Sequence, residues 1–233
     1  MQAGALPRWQ RQRILGEWTQ RRWPLCHSHR GRIKRRQYLG GMKEQFFAAL
    51  QSIHPLGADT VSSLDRCLAG AHYAKGTLLV RAGDPSDKMF FLLKGAVRAW
   101  YPHGEKEFTD WFVFENMFFC SISSFFGGAP AVQFIEALEP CDVLVLTRAQ
   151  LDAVSAAHAD MLALNNKILT HALVTLQQGI IDQRFKTATE RYAALLAGYP
   201  VALQRVPLRH IASYLGVTPE TVSRIRGDMK SQK

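Results

Sequence analysis

The sequence predicts an α+β protein in which an antiparallel β jelly roll or barrel precedes a long helix and a C-terminal helix-turn-helix. Short apolar runs separated by turn residues, between residue 71 and residue 146, predict the strands. An extended helical pattern of apolar residues follows, and then two short, well-delimited helices. A length of 233 residues is sufficient for more than one domain.

Composition excludes several classes of protein. No apolar stretch reaches the roughly 18 residues that a membrane-spanning helix needs, and no secretory signal is evident, so we expect a soluble cytoplasmic protein without a membrane partner. The four cysteines lie far apart, without the spacing of a zinc site or the density of a disulfide framework. A nucleophile elbow, a phosphate-binding loop and suitably placed paired carboxylates are missing, so the sequence predicts no enzyme, no metal and no cofactor.

The net charge of +10 is distributed unevenly. Residues 1–41 contain ten Lys and Arg and one acidic residue, and residues 184–233 contain nine basic and three acidic residues. The C-terminal part therefore has the local basic charge of a DNA-binding module. The leader, residues 1–41, ends in Gly40-Gly41 before Met42. It is predicted to be a disordered tail or a segment upstream of the true start, and a basic arm that binds nucleic acid is the alternative.

Residues 42–148 are expected to form the barrel domain. Apolar residues at helical spacing predict two short opening helices. Turn residues such as Gly83-Asp84-Pro85 and Lys94-Gly95 then separate short apolar runs, and strand-like runs also cover 107–114, 134–138 and 142–146. Together these short strands predict a compact antiparallel barrel or jelly roll.

Residues 149–183 are expected to form a long helix with a break near Ala157-His158. One apolar stripe on it recurs at spacings of three, four and seven residues: Leu162, Leu169, Leu173, Leu176 and Ile180. Such a stripe either packs on the protein's own barrel or forms a two-stranded seam with a second copy of the helix. The sequence leaves both arrangements open.

Residues 184–233 contain two short helices around a tight turn. Ile211 and Ala212 give the first helix a buried face, and Gly216 ends it. Thr218 is placed to cap the second helix, with Pro219 at its first position. A small residue, a glycine and an apolar residue thus occupy the relative positions that a helix-turn-helix requires.

The exposed side of the second helix carries side chains suited to reading DNA bases. Arg224 can bond guanine bidentately, Glu220 can accept from the cytosine amino group, and Ser223 is compatible with several bases. Residues at the helix start and basic residues beside it are suited to phosphates. The predicted DNA-binding set is Arg209, Thr218, Pro219, Glu220, Thr221, Ser223, Arg224, Arg226 and Lys230. An ordinary helical hairpin is the alternative explanation of the pattern.

From Met42 to Lys230 the sequence resembles the Crp/Fnr family of bacterial transcription regulators. The motif IASYLGVTPETVSRIR is similar to the family's winged-helix recognition motif, and YAKGTLLVRAGDPSDKMFFLLKGAVRAWY resembles the first half of its cyclic-nucleotide-binding-like barrel. The long helix takes the place of the family's dimerisation helix. The resemblance implies a sensor barrel and a winged helix-turn-helix in a homodimer that binds a palindromic site in double-stranded DNA.

The effector site of the family is matched poorly. Members that bind cyclic AMP carry a Gly-Glu pair and then an Arg-Ser or Arg-Thr pair, whereas the corresponding stretch ENMFFCSISSFFGGAPAVQFIEAL has neither. Cyclic AMP is therefore not expected, and the clustered cysteines of the family's oxygen sensors are also missing. The candidate effector pocket consists of Phe119, Cys120, Ser121, Ile122 and Phe134, although such aromatic residues equally suit a barrel core.

The expected function is sequence-specific DNA binding by a homodimeric transcription regulator whose effector is unknown. RNA polymerase is a further expected partner if the protein is an activator. The alternative is a ligand-binding module that regulates a protein partner without touching DNA. Substitution of Arg224 distinguishes the two, because only a DNA reader loses function with it.

Overall fold

The chain folds into N-terminal helices, a double-layered sheet and a group of C-terminal helices. A computed structural model describes the backbone of residues 35–231 and the side chains of residues 41 and 43–229. In that range the helices are α1 (Arg35–Ile53), α2 (Ala58–Cys67), α3 (Ile122–Phe125), α4 (Arg148–Ala157), α5 (Ala159–Phe185), α6 (Ala188–Gly198), α7 (Ala202–Arg205), α8 (Leu208–Leu215) and α9 (Pro219–Ser231). The strands are β1 (Ala69–Tyr73), β2 (Leu78–Val80), β3 (Lys88–Lys94), β4 (Val97–His103), β5 (Lys106–Val113), β6 (Phe118–Phe119), β7 (Phe134–Ala137) and β8 (Cys141–Thr147).

Helix α1 begins inside the expected leader. It starts at Arg35 and runs through Gly40 and Gly41, so the structure differs from the expected boundary at Met42. Each glycine costs a helix about 1 kcal/mol relative to alanine. The helix forms nevertheless because Phe46 and Leu50, further along, are buried in a core cluster with residues of β3 and β8. The rest of the leader, with its predicted disorder and the basic-arm alternative, lies outside the described residues.

Two antiparallel four-stranded sheets form the barrel. Sheet A has the strand order β1-β8-β3-β6, and sheet B has the order β2-β7-β4-β5. Their facing surfaces enclose buried apolar side chains that include Phe90, Ile135 and Val143. Neighbouring strands are mostly distant in sequence, which is the crossing pattern of a jelly roll. The predicted α+β class with an antiparallel jelly roll is confirmed.

The turn between β3 and β4 requires glycine at position 95. Gly95 has a φ of 112°, and a Cβ at this position would lie 2.6 Å from Cys141 Sγ. The predicted turn at Lys94-Gly95 is therefore confirmed. The short elements β6 and α3 were not predicted, because two and four residues are too few to show a period.

Helices cover the outer face of each sheet. α1, α2, α4 and the start of α5 pack over sheet A, where Leu64 and Leu144 share one buried cluster with Leu164. The C-terminal helices pack over sheet B, where Phe112 and Phe114 share another cluster with Ile211. The helix-turn-helix is thus packed directly on the barrel.

The break before the long helix lies where the sequence predicts it. Thr147 and Gln150 form a capping box at the start of α4, with Thr147 N donating to Gln150 Oε1 at 2.9 Å. His158 adopts an extended conformation between α4 and α5, with a φ of −133°. Met161 and Leu164 are the buried residues of α5, and most of the helix beyond them is exposed. None of the described helices is long and apolar enough to cross a membrane.

The C-terminal helices contain the predicted helix-turn-helix without a wing. No strand forms among the described residues after Thr147. The segment before α8 folds into the short helix α7, and α9 occupies residues 219–231. The winged part of the prediction is therefore corrected, because the flanking residues from which strands would be built are helical.

Candidate DNA-binding interface

Helices α8 and α9 are joined by a turn that depends on Gly216. This residue has φ 68° and ψ 29°, a left-handed conformation that favours glycine, and it ends α8. The N–H of Val217 donates to Ala212 O at 3.0 Å and closes the turn. Thr218 caps the next helix, because its Oγ1 accepts from Thr221 N at 3.3 Å. The predicted helix end and cap are both present.

The two helices pack through one side and expose the other. The buried residues are Ile211, Ala212, Leu215, Val222 and Ile225. On the opposite side of α9 the exposed residues include Glu220, Ser223 and Arg224, which we call the reading face, and Arg226 is exposed beside them. A helix with this division buries its apolar stripe while leaving its bonding groups free to meet another molecule.

The other predicted DNA-binding residues lie around this face. Thr218 and Pro219 are exposed at the start of α9, Thr221 is half-buried, and Arg209 is exposed on α8. The side chain of Lys230 lies outside the described residues. The Glu220 backbone N–H and the Thr218 side chain lower the pKa of the Glu220 carboxyl, which keeps it an ionised acceptor.

A buried arginine of the barrel bonds to the helix-turn-helix. Arg98, on β4, is only 3% exposed. It donates to Glu136 Oε2 at 2.9 and 3.0 Å and to Glu107 Oε2 at 2.6 Å. It also donates through Nη1 to His210 Nδ1 on α8, at 2.7 Å. We call Arg98, Glu107, Glu136 and His210 the arginine cluster. Sequence analysis missed it, although a lone arginine in an apolar strand was an available signal, because buried arginines are almost always paired.

Two further sets of contacts join the barrel to the C-terminal helices. Ser213 Oγ, on α8, accepts from Thr109 N of β5 at 2.8 Å. Arg205, on α7, forms a bidentate pair with Glu115 at 2.7 and 2.8 Å and also bonds to Glu139. The Arg205 guanidinium lowers the pKa of Glu115 to about 2, so this carboxylate stays ionised. The orientation of α8 on sheet B is therefore fixed by polar contacts as well as apolar packing.

His210 makes this interface sensitive to pH. A guanidinium only donates, so the contact with Arg98 requires Nδ1 to accept. Burial, and then the charges of Arg98 and Arg209, lower the pKa of His210 to about 3. An unperturbed histidine, as in the unfolded chain, has a pKa of about 6.5. His210 is therefore neutral in the folded protein over most of the pH range in which the unfolded chain protonates it.

We expect the free energy of unfolding to fall as the pH drops from about 6.5 towards 3. Within this window the unfolded chain binds a proton that the folded protein does not, with a slope of at most about 1.4 kcal/mol per pH unit. Urea unfolding between about pH 5 and 6.5 measures the slope above the range in which Glu115 contributes. His210→Gln keeps an acceptor for Arg98 and should flatten it. Equal slopes in the two proteins would contradict this assignment.

The predicted dimer stripe is exposed. Leu162, Leu169, Leu173, Leu176 and Ile180 are between 46% and 68% exposed. Three large apolar residues beyond the predicted set, Val174, Ile181 and Phe185, are exposed on the same helix. Packing on the protein's own barrel therefore leaves the stripe uncovered, and an exposed apolar stripe of this length is typical of a surface that packs against another one.

The structure does not bring the five candidate effector residues into one pocket. Phe119 stacks on Phe90 inside the barrel, at 5.0 Å between ring centroids. Phe134 instead stacks on Trp100 at 4.4 Å, on the outer face of sheet B. The physical reason is strand alternation: the neighbouring Ile135 faces the barrel interior, so Phe134 faces outwards.

The remaining three effector candidates differ in exposure. Cys120 and Ser121 are buried, whereas Ile122 is 49% exposed. Burial raises the pKa of the Cys120 thiol to about 12, so it is an inert core thiol rather than a reactive one. In the described part of the chain, no three His, Cys, Asp or Glu side chains are grouped as a metal site would require.

Comparison with known proteins agrees with this architecture. Residues 71–158 match the family model described as cyclic nucleotide-binding domain. FixK2 from Bradyrhizobium japonicum has a similar structure, with a TM-score of 0.58 and 21% identity over 71% of this chain and 85% of that chain. CLP from Xanthomonas campestris, described as a c-di-GMP-responsive global regulator of virulence gene expression, has a TM-score of 0.60 and 15% identity over 76% and 93%.

A CooA variant from Carboxydothermus hydrogenoformans is also similar, with a TM-score of 0.56 and 23% identity over 72% of this chain and 79% of that chain. No curated protein sequence matches the chain significantly. The similarity to these structures covers the barrel and extends beyond it. Residues 71–158 thus resemble the cyclic nucleotide-binding domain family, and the chain shares its fold with the solved structures of FixK2 and CooA.

Proposed function

We propose that this protein is a sequence-specific DNA-binding transcription regulator that acts as a homodimer on a roughly palindromic site. The reading face carries the proposal, because α9 buries Val222 and Ile225 while it exposes Glu220, Ser223 and Arg224. The fold shared with CLP, a regulator of gene expression by its description, supports the same function.

In this proposal α9 lies in the major groove, whose width fits an α-helix. Arg224 donates two N–H groups to guanine, and the Glu220 carboxylate accepts from a cytosine amino group. Arg209, Arg226 and Lys230 neutralise phosphates, while the exposed start of α9, at Thr218, Pro219 and Thr221, approaches the sugar-phosphate backbone. The base contacts supply the specificity, and the phosphate contacts supply most of the salt-dependent affinity.

Selection from a random duplex library tests this proposal. The full chain should enrich one sequence, and that sequence should be an inverted repeat whose half-sites lie about one helical turn apart. Retention of all duplexes alike, or of none, would contradict it. The second outcome would favour the alternative, a ligand-binding module that acts on a protein partner.

The homodimer is proposed to form along α5. Its exposed stripe alternates at spacings of three and four residues from Leu169 to Ile180, which is the pattern of a two-stranded coiled coil. Asn166, four residues after Leu162 and seven before Leu173, is exposed and occupies a core position of that repeat. A single asparagine at such a position sets the register of paired helices at a cost in stability. The interruption of the apolar stripe by Asn166 is therefore compatible with a specific dimer.

Leu173→Glu is expected to weaken the dimer by at least about a hundredfold. Each copy loses the burial of one leucine side chain, worth about 1.5–3 kcal/mol, and the change is applied twice across the symmetric seam. Leu173 is 68% exposed within one chain, so the fold of each protomer should survive. Sedimentation velocity over a range of concentrations measures the effect. The matched control, Thr175→Glu, adds the same charge at an exposed position outside the stripe. Equal dissociation of both variants would exclude this seam.

In this proposal each part of the chain has one role. Residues 42–148 form the sensor domain, residues 149–183 the dimerisation helix and residues 184–233 the DNA-binding domain. An effector other than cyclic AMP acts on the sensor domain, because no arginine between Glu115 and Leu138 is available for a cyclic phosphate. If the protein is an activator, RNA polymerase is the partner that it contacts on DNA.

A further inference from the structure

A cavity of about 250 Å³ lies against the outer face of sheet A, under α1, α4 and α5. Its walls are mainly apolar and include Phe46, Leu50, Phe118, Leu144 and Leu151. Three of the large apolar lining residues are exposed: Phe126, Leu162 and Leu169. An apolar cavity of this kind favours hydrocarbon over water, because water finds too few bonding partners in it.

The cavity has one cationic lining residue, Arg148 at the start of α4. Its Nε bonds to both carboxylate oxygens of Asp152 at 2.8 Å, and Nη1 lies 3.4 Å from Phe125 O. Nη2 makes no hydrogen bond to any described residue. Because a guanidinium has five N–H groups in a fixed fork, Arg148 can serve a second carboxylate without releasing Asp152.

We propose that this cavity binds a small amphipathic carboxylic acid of the fatty-acid type. The hydrocarbon tail occupies the space around Leu151, and the carboxylate bonds to the free edge of Arg148. This site is separate from the five candidate effector residues and lies outside the barrel interior. It is bordered by Phe126, the residue after α3, and by Leu162 of α5. The binding proposal does not depend on DNA recognition.

Calorimetric titration of the full chain with decanoic acid, kept below its micelle-forming concentration, tests the site. We expect saturable binding of one acid per chain. Octanoic acid should bind roughly tenfold more weakly, since each buried methylene contributes about 0.8 kcal/mol, or about fourfold in affinity. Decan-1-ol, with the same tail and no charge, should also bind at least about tenfold more weakly, because it lacks a charge-assisted hydrogen bond.

Two variants separate the tail site from the head site. Leu151→Trp fills the cavity and should abolish binding of both ligands. Arg148→Gln should reduce the affinity for decanoic acid to that for decan-1-ol and leave the affinity for the alcohol unchanged. This variant tests the head site even if Leu151→Trp does not fold. Arg66→Gln, at an exposed arginine on α2 that does not itself line the cavity, is the matched control and should change nothing.

Four results would overturn the proposal. These are the absence of saturable binding, equal affinity for the acid and the alcohol, unchanged acid binding by Arg148→Gln, or unchanged binding by a folded Leu151→Trp. If the acid stops binding when the chain self-associates at higher concentration, the opening of the cavity is instead covered by a second copy of the chain, and the proposal is also overturned. None of these results bears on the selection experiment with DNA, so the two proposals stand or fall separately.

Discussion

Replacing Arg224 with alanine is expected to lower the affinity of the dimer for the selected DNA sequence at least about thirtyfold, because each of the two half-sites loses a contact. A bidentate arginine–guanine pair contributes about 1–3 kcal/mol of discrimination against the wrong base. Arg224 is exposed on the reading face, and the side chain is not part of the helix-turn-helix core, so the fold should be unaffected. Fluorescence anisotropy with the selected duplex, and with duplexes changed at single positions, measures both affinity and specificity.

The control for this experiment is Arg226→Ala on the same helix. Arg226 is also exposed, but it flanks the reading residues and is assigned to phosphates. Its loss should weaken binding to all duplexes alike and reduce the slope of log affinity against log salt by about two, one for each half-site. Arg224→Ala should instead relax specificity at one position of each half-site. If the two variants behave identically, Arg224 does not read a base.

Replacing Arg98 with alanine is expected to lower the free energy of unfolding by about 3 kcal/mol. Removal of one partner of a buried ion pair costs about 3–5 kcal/mol, because it leaves the opposite charge buried. We expect the lower end of this range, since the side chains of Glu107 and Glu136 are 43% and 23% exposed and retain some contact with water. His210 also loses its hydrogen-bond donor. Urea unfolding followed by tryptophan fluorescence is suitable, because Trp100 lies beneath the Arg98 guanidinium.

The second readout of Arg98→Ala is local. Amide hydrogen exchange should rise most at α8, where His210 loses its link to the barrel, and less at α2 on the opposite sheet. Lys186→Ala is the matched control, because Lys186 and Asp182 form a surface ion pair one helical turn apart that should contribute little to stability. An Arg98→Ala protein as stable as Lys186→Ala, with unchanged exchange at α8, would show that the arginine cluster does not hold the helix-turn-helix.

The helix-turn-helix could be predicted from sequence because its determinants are local. Gly216, Thr218 and the apolar residues around them act over fewer than about four helical turns, and each has a preferred position relative to the helix ends. The exposed set on α9 followed from the buried set by helical geometry alone. The same holds for the break at His158.

Features that depend on long-range contacts were not predicted. Arg98 and His210 are 112 residues apart in sequence, and the sequence around either residue does not indicate that the two are in contact. The start of α1 depends on where Phe46 and Leu50 are buried rather than on Gly40 and Gly41. The effector candidates failed as a group for a related reason, because consecutive residues of a strand face opposite sides and Phe134 lies on the outer one.

The most direct test of the central claim is the ratio of two affinities at near-physiological salt. One is the affinity of the full chain for the selected inverted repeat, and the other is its affinity for a duplex of the same length and composition with scrambled sequence. Phosphate contacts contribute equally to the affinity for both duplexes, whereas the base-reading side chains of α9 strengthen binding only to the selected one. The ratio should therefore be at least about a thousandfold. A ratio near one, with binding that salt simply abolishes, would mean that the basic C-terminal part binds DNA without reading it.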